Sequence, residues 1–222
     1  MKKGILIICS IFIIVGCDIK EEKDIKGKNN TSEYKKLESN QDDSNSELKN
    51  DEVTIGNQVW MAKNLNVDKF RNGDAIPEAK SEEEWNEAGK NKQPAWCYYD
   101  NDPANGEKYG KLYNWYAVND PRGLSPIGWH VPNEEEWVEI ENQFIDTNNT
   151  NGILTIIGGY RNVDGKFTRV EECAGWWSTT ESNENFAIGR SSWANSNRLG
   201  ILNDDINYGS KEVGLSVRCL RD

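Results

Sequence analysis

The sequence predicts an α+β fold for most of this chain, with few helices, short antiparallel strands and long loops. Two observations predict it. Only a few segments combine helical periodicity with a cap, and most of the strand-like segments follow them, separated by Gly and Asn turns. A third observation divides the chain, because all nine Trp residues lie at position 60 or later. We therefore divide the 222 residues into segments 1–17, 18–52 and 53–222.

The first segment has the composition of an export signal. Lys2 and Lys3 precede the apolar run 5–15, which is too short to span roughly 30 Å of hydrocarbon. The run ends in Ile14-Val15-Gly16-Cys17, which resembles a bacterial lipobox. The resemblance implies that Cys17 is lipidated and that the membrane is a partner through this lipid anchor. The alternative is an ordinary signal peptide that carries an incidental Cys.

Segment 18–52 is predicted to be a solvated tether. It carries 11 acidic and 7 basic side chains and no Trp, so it cannot bury enough apolar surface to offset its ordering entropy. Residues 17–22 resemble the short Lys-plus-acid export signal of surface lipoproteins in Bacteroidetes-type bacteria. That resemblance implies an outer-membrane location facing the cell exterior. A random piece of charged linker is the alternative.

The first half of the domain is predicted to begin with a hairpin. Residues 53–55 and 58–62 are strand-like, and the Gly56-Asn57 pair between them is a two-residue turn signal. Ser81 and Glu84 then form a capping box that opens a short helix. Three more elements follow in chain order: a strand over 94–99, a polar loop over 100–110 and a short helix over 111–118.

The second half is predicted to contain one clear helix and then strands. The helix covers 133–145, with Asn133 as its cap. Trp137, Ile140 and Phe144 recur on one face and indicate a buried stripe. A turn is expected at Asp164-Gly165. The predicted strands are 159–161, 167–170, 176–180, 185–188 and 213–220.

Several blocks of the domain resemble one known family. They are residues 53–66 (VTIGNQVWMAKNLN), 109–118 (YGKLYNWYAV), 128–132 (GWHVP), 158–161 (GGYR), 176–180 (WWSTT) and 217–222 (VRCLRD). Together they resemble the Fibrobacter succinogenes major paralogous domain, abbreviated FISUMP. The resemblance implies a single C-type-lectin-like domain related to the formylglycine-generating enzyme domain. It implies no reaction, because function is a property of sites and not of folds.

Charge and hydropathy exclude two classes of protein. The net charge of −11 argues against a nucleic-acid groove, which needs a basic stripe. Segments 1–17 and 18–52 account for +2 and −4, so −9 remain on the domain. A mean hydropathy of −0.80 with one apolar stretch excludes a polytopic membrane protein.

Metal and cofactor motifs are absent from the sequence. His130 is the only histidine, so two-histidine zinc motifs are impossible, and we expect a structural role for it. The acidic stretch 100–111 fails as an EF-hand because Ala104, Asn105 and Lys111 occupy positions that require a ligand, Gly and Glu. An irregular calcium site there stays open as an alternative to a solvated turn. We predict no metal and no cofactor.

Catalytic motifs are also absent, and we predict that the domain is not an enzyme. There is no serine-hydrolase elbow and no phosphate-binding loop. Formylglycine-generating relatives use a closely spaced cysteine pair late in the domain, whereas residues 191–209 contain no Cys. A pair of carboxylates for glycoside hydrolysis stays open, because their separation cannot be read from a sequence.

Three cysteines remain in the domain, Cys97, Cys173 and Cys219. Outside the cytoplasm a structural disulfide is the default, and three thiols allow three pairings. An antiparallel arrangement of 176–180 and 215–220 would favour Cys173–Cys219, so this pair is our disulfide candidate. Many FISUMP sequences carry Cys where this one has Ser125, which leaves the pairing open.

The best candidate for a binding site is the stretch 181–210, which mixes aromatic residues with amides and carboxylates. Aromatic faces stack on the C–H surfaces of sugars, and the same composition suits protein contacts. The ligand-binding candidates are Trp193, Asn195, Asp204, Asp205 and Tyr208. The alternative is that Trp193 belongs to the core and that the Asn residues form turns.

These observations predict a lipid-anchored, surface-exposed protein of the cell envelope that carries a non-catalytic binding or adhesion module. Its expected ligand is a glycan or a protein of the envelope or of a host. Two alternatives stay open. One is an envelope enzyme that acts on glycans through an acidic pair, and the other is a purely structural envelope component.

Overall fold

The structure is a computed structural model that describes residues 51–147, 156–194, 196, 199–202 and 209–222. Side chains are described for these residues except 145–147. Predictions for segments 1–17 and 18–50 therefore lie outside the described residues. Among the described residues, none of the helices has the length and apolar character needed to cross a bilayer.

The fold class is α+β, as the sequence predicts, with few helices and mostly antiparallel sheets. The described helices are α1 (Glu82–Lys90), α2 (Pro103–Tyr109), α3 (Trp115–Val118) and α4 (Glu134–Thr147). The described strands of the first half are β1 (Glu52–Ile55), β2 (Gln58–Met61), β3 (Trp96–Cys97), β4 (Leu112–Tyr113) and β5 (Trp129–His130). Those of the second half are β6 (Gly158–Arg161), β7 (Phe167–Val170), β8 (Cys173–Glu181), β9 (Ala187–Trp193), β10 (Gly200–Leu202) and β11 (Leu220–Arg221).

One sheet has the strand order β1-β2-β11-β5. Its β1–β2 hairpin confirms the prediction, with Ile55 opposite Gln58 across the turn. Gly56 has φ 58°, a conformation that glycine adopts without strain. Leu220 pairs with Trp60 on one side and with His130 on the other. Strand β11 therefore lies between two strands from the first half of the domain.

The larger sheet has the order β10-β9-β8-β6-β7. All its pairs are antiparallel except β6–β8, where Gly159 lies parallel to Ala174. The predicted strand 176–180 is confirmed as part of the longer β8, and the predicted strand 185–188 overlaps β9, which begins at Ala187 and extends to Trp193. Strand β10 was not predicted. The consecutive polar residues Arg190, Ser191 and Ser192 lack the apolar pattern of a strand, yet all three are buried in β9.

The predicted loop 100–110 is wrong, because most of it is helical. Tyr99–Asn101 forms a 3₁₀ turn, and helix α2 follows at once. Asp102 caps this helix by accepting a hydrogen bond from Ala104 N at 2.9 Å, and Pro103 occupies its first turn. The Asp102 cap and Pro103 are signals of a helix start, but the sequence analysis interpreted these residues as part of a turn.

Two further predictions are only partly right. The strand predicted over 94–99 is reduced to β3, and the helix predicted over 111–118 is β4 followed by α3, capped by Asn114. The strand predicted over 213–220 consists of isolated bridges and the short β11. Its predicted antiparallel alignment with 176–180 is wrong, because Trp176 and Ser216 form a parallel bridge.

The helices with strong capping signals are confirmed. Ser81 and Glu84 form the predicted capping box of α1. At α4, Asn133 Oδ1 accepts from Glu136 N at 3.0 Å, and Glu136 Oε2 accepts from Asn133 N at 2.8 Å. The predicted stripe of Trp137, Ile140 and Phe144 is buried. It packs in one core cluster with Trp60 and Trp176.

Indole rings dominate the core. Seven of the nine Trp residues are buried, namely Trp60, Trp85, Trp96, Trp115, Trp137, Trp176 and Trp177. Trp137 lies 4.7 Å from Trp60 and 6.3 Å from Trp176, measured between ring centroids. Two indoles remain accessible to solvent: Trp129 is half-buried and Trp193 is exposed.

Candidate functional site

Trp193 lies at the end of β9, where its backbone pairs with Cys173. Its side chain is 47% exposed, which agrees with the expectation of an accessible ring and contradicts the alternative of a core residue. The guanidinium of Arg169 lies 5.0 Å from the indole centroid, a cation–π distance. We call Trp193 and Arg169 together the Trp193 surface. The other predicted ligand-binding residues, Asn195, Asp204, Asp205 and Tyr208, lie outside the described residues.

The end of β7, where Arg169 lies, and the turn that follows it have an unusual backbone. Arg169 and Glu171 have φ of 61° and 62°, a region that residues other than glycine rarely adopt. Contacts on both sides hold the turn in place. Glu171 accepts from Lys108 Nζ at 2.7 Å and from Tyr109 Oη at 3.0 Å, and Glu171 N donates to Ile157 O at 3.0 Å. Helix α2 therefore fixes the turn that positions Arg169 on the indole.

A cleft of about 340 Å³ lies at the edge of the first sheet, beside Trp129. We call it the Trp129 cleft. It is lined by Asp51, Glu52, Met61, Lys63, Asn64, Leu65, Asn66 and Trp129. The sequence interpretation missed it, although blocks 53–66 and 128–132 supply most of its walls. The sequence did not show that β11 pairs with both β2 and β5 and so brings them into one sheet.

The charged groups of the Trp129 cleft are paired with one another. Lys63 Nζ lies 3.0 Å from Asp51 Oδ1, and Glu52 accepts a hydrogen bond from Arg221 Nη2. The Arg221 guanidinium lies 5.3 Å from the Trp129 ring centroid, so it also contacts the indole. Trp129 O accepts from Arg71 Nη2 at 3.1 Å, and Trp129 N donates to Pro126 O at 3.2 Å. The contacts with Arg71 and Pro126 hold the backbone of Trp129, and Arg221 packs on its ring.

His130 lies between two carboxylates. Its Nδ1 is 2.9 Å from Asp222 Oδ1, and its Nε2 is 2.9 Å from Glu136 Oε1. Burial opposes protonation of the imidazole, but the hydrogen bonds that it donates to the carboxylates of Asp222 and Glu136 outweigh this effect and raise the pKa of His130. These contacts agree with the predicted structural role, because they connect β5 to helix α4.

Three buried arginines stabilise the fold through hydrogen bonds within the domain. Arg161 donates to the backbone oxygens of Gly165, Ala79 and Ser81 at 2.7–2.8 Å. Arg190 makes a bidentate pair with Glu134 of α4 at 2.7 and 2.8 Å. Burial lowers the pKa of Arg218 to about 9, and Asn64 Oδ1 accepts from its Nε and Nη2. None of these guanidinium groups is exposed to a ligand.

The disulfide candidate Cys173–Cys219 is not formed. Cys97, Cys173 and Cys219 are all buried free thiols. The parallel bridge Trp176–Ser216 places Cys173 three residues before it and Cys219 three residues after it. At about 3.3 Å per extended residue, that separation exceeds the roughly 7 Å between Cα atoms that a disulfide permits.

The acidic stretch 100–111 does not form a calcium loop. Asp102 caps α2, and Asn105 Nδ2 donates to Tyr99 O at 2.9 Å. Within the described part of the chain, no group of three or more His, Cys, Asp or Glu side chains is arranged to hold a metal ion.

The described fold is thus an α+β domain with few helices, antiparallel sheets and two accessible indoles. Residues 53–147 match the family model of the Fibrobacter succinogenes major domain. The match supports the FISUMP resemblance for the first part of the domain, including Trp129 and His130, and ends before the Trp193 surface. No curated protein and no solved structure matches the chain.

Proposed function

We propose that this chain is a lipid-anchored protein of the outer membrane, exposed at the cell surface, whose domain is a non-catalytic binding or adhesion module. One observation carries the proposal. Seven Trp residues are buried, whereas Trp193 is 47% exposed and stacked against Arg169. Exposed Trp and Arg side chains are typical anchors of binding surfaces. A glycan or a protein of the envelope or of a host is the proposed ligand.

Six described carboxyl groups have a pKa below the ordinary value, which makes each of these six unsuited to act as a general acid. A general acid for glycoside hydrolysis needs a raised carboxyl pKa. Hydrogen bonds to basic or amide side chains lower the pKa of Asp74, Asp120, Asp164, Glu171 and Glu184, and a hydrogen bond from its own backbone lowers that of Glu83. These shifts go in the direction opposite to the one that such an acid requires.

The proposal for the anchor and for the fold family rests on sequence resemblance. The lipobox-like Ile14-Val15-Gly16-Cys17 supports lipidation at Cys17, and the family match at residues 53–147 supports a surface-type domain. We also propose that the α+β body is C-type-lectin-like, which agrees with its few helices, antiparallel sheets and irregular connections.

The binding proposal is tested with the full-length protein on a glycan array and in an envelope pull-down. Trp193→Ala should weaken binding of any ligand found by more than about 1 kcal/mol and leave the free energy of unfolding nearly unchanged. The control Trp177→Ala should instead cost roughly 3–5 kcal/mol of stability, because Trp177 is fully buried. Unchanged affinity in Trp193→Ala would reject this surface as the binding site.

The anchor is tested separately with Cys17→Ala. Because the thiol of Cys17 is the proposed acylation site, the variant should lose acyl-lipid labelling and leave the membrane fraction. Cys9→Ala is the matched control, since Cys9 lies inside the apolar run and should not affect labelling. Labelling that persists in Cys17→Ala would rule out the lipoprotein proposal.

A further inference from the structure

We propose that the Trp129 cleft is a second binding site, separate from the Trp193 surface, and that its ligand is a neutral saccharide. Its volume of about 340 Å³ is near the lower limit for small-molecule sites. That size suits a ligand of one or two sugar rings. The proposal does not depend on ligand binding at Trp193, because the lining residues belong to β1, β2, β5 and the segments next to them and include neither Trp193 nor Arg169.

The charge distribution selects for a neutral ligand. Each carboxylate that lines the cleft is paired: Asp51 with Lys63, and Glu52 with Arg221 beside the cleft. Among the described lining residues, every charged side chain therefore has a counter-charge, which favours a ligand without charge. The net charge of the domain, −9 by subtraction of the N-terminal segments, repels anionic ligands in addition.

The walls combine apolar surface with fixed polar groups. The Trp129 indole, Met61 and Leu65 provide apolar surface against which the C–H face of a pyranose ring can pack. Asn66 Nδ2 donates to Gly106 O at 3.1 Å, which fixes the orientation of its amide at the cleft. The exposed Asp51–Lys63 pair offers an acceptor and a donor side by side, as neighbouring hydroxyl groups require.

The site is already ordered without a ligand. Arg71 and the Pro126 carbonyl hold the backbone of Trp129, while Arg221 and the core cluster pack against its indole. A fixed aromatic ring loses little conformational entropy on binding, so even a small contact area yields a measurable affinity.

Saturation-transfer NMR on the full-length protein tests the proposal. The probes are glucose, galactose, N-acetylglucosamine and cellobiose, with glucuronate and galacturonate as anionic counterparts. At least one neutral saccharide should receive saturation, mainly at its ring C–H protons, and its acidic counterpart should bind more weakly. Binding of only the anionic sugars, or transfer to none of the neutral ones, would overturn the proposal.

Variants locate the site. Trp129→Ala should weaken binding of the responding saccharide about tenfold, the scale of an aromatic anchor. Since Trp129 also packs against the core, the exposed Asn66→Ala is a second variant, expected to weaken binding about threefold through a lost hydrogen bond. Trp193→Ala should bind as the unchanged protein does. Loss of binding in Trp193→Ala with full binding in Asn66→Ala would overturn this site and leave the Trp193 surface as the sugar site.

Discussion

At the scale of single residues, His130 is the group most sensitive to pH. Its two ring nitrogens contact Asp222 and Glu136 at 2.9 Å, and its pKa is raised in the folded protein. A protonated imidazole can donate to both carboxylates at once, whereas a neutral one has a single N–H. Protonation therefore strengthens the connection between β5 and α4.

This linkage predicts a pH-dependent contribution to stability. Because the folded pKa is raised, the stabilisation is fully present below the unfolded pKa of about 6.5 and is lost as pH rises through the folded pKa. His130→Gln should cost more stability at pH 5.5 than at pH 9, by about 0.5–1 kcal/mol, the scale of a solvent-screened ion pair. Urea unfolding of the variant and of the unchanged protein at both pH values measures the difference. An equal cost at both pH values would contradict the linkage.

Residue identity alone did not reveal which accessible indole lines a cleft. Trp193 was predicted to be accessible because polar residues surround it in the sequence, and its exposure confirms that part of the prediction. Trp129 stood in a motif that was interpreted as structural. Its cleft requires residues 51–66, Trp129 and Arg221, and only the sheet order brings these segments together.

At the scale of elements, two capped helices were predicted with their starts, whereas the extent of β9 and the presence of β10 were not. The capping boxes at Ser81 and Asn133 marked α1 and α4 because a cap and its N3 partner are only three residues apart. Strands β9 and β10 carry no such local signal. Arg190 is buried only because Glu134 of α4, distant in sequence, supplies its counter-charge, and a residue pattern cannot show that pairing.

The cap of α4 has a measurable energetic effect. Asn133→Ala removes the side chain that accepts from Glu136 N and should destabilise the domain by about 1 kcal/mol, the usual cost of a lost N-cap. Asn133→Asp keeps an acceptor at the same place and should cost much less. Chemical denaturation of both variants gives the comparison, and equal destabilisation would show that the cap hydrogen bond contributes nothing.

At the scale of the whole molecule, three thiols are enclosed without a disulfide. Burial raises the pKa of Cys97 and Cys219 to about 12 and that of Cys173 to about 11. The thiolate is the reactive form, so these groups are protected both by enclosure and by protonation. We expected a disulfide because proteins outside the cytoplasm usually form them. The thiols of Cys173 and Cys219 cannot meet, because the segments that carry them run parallel at the Trp176–Ser216 bridge.

We predict that Cys97, Cys173 and Cys219 resist alkylation in the folded protein. Iodoacetamide at pH 8 should modify none of them under native conditions and all three in denaturant, as counted by peptide mass spectrometry. The melting temperature should not change when a reductant is added, because no cross-link is broken. Incomplete labelling in denaturant without reductant would show a disulfide and contradict the structure.

The class of the whole fold followed from composition and the order of elements, but its topology did not. The sequence predicts an α+β domain because helical and strand-like segments can be recognised separately. It contains no local indication that β11 lies between β2 and β5, or that β6 and β8 are parallel. These pairings depend on contacts between residues far apart in the chain.

The position of β11 has a consequence for biogenesis. Leu220 bridges Trp60 and His130, so the first sheet stays divided into two parts until the final strand arrives. A chain that emerges from its N-terminal end must release almost the whole domain before this sheet can close. Closure also requires a loop of about 160 residues, whose entropy cost slows folding. The first sheet therefore stays open until residues 220–221 are released, which would help the chain to pass a narrow channel during the export that we propose.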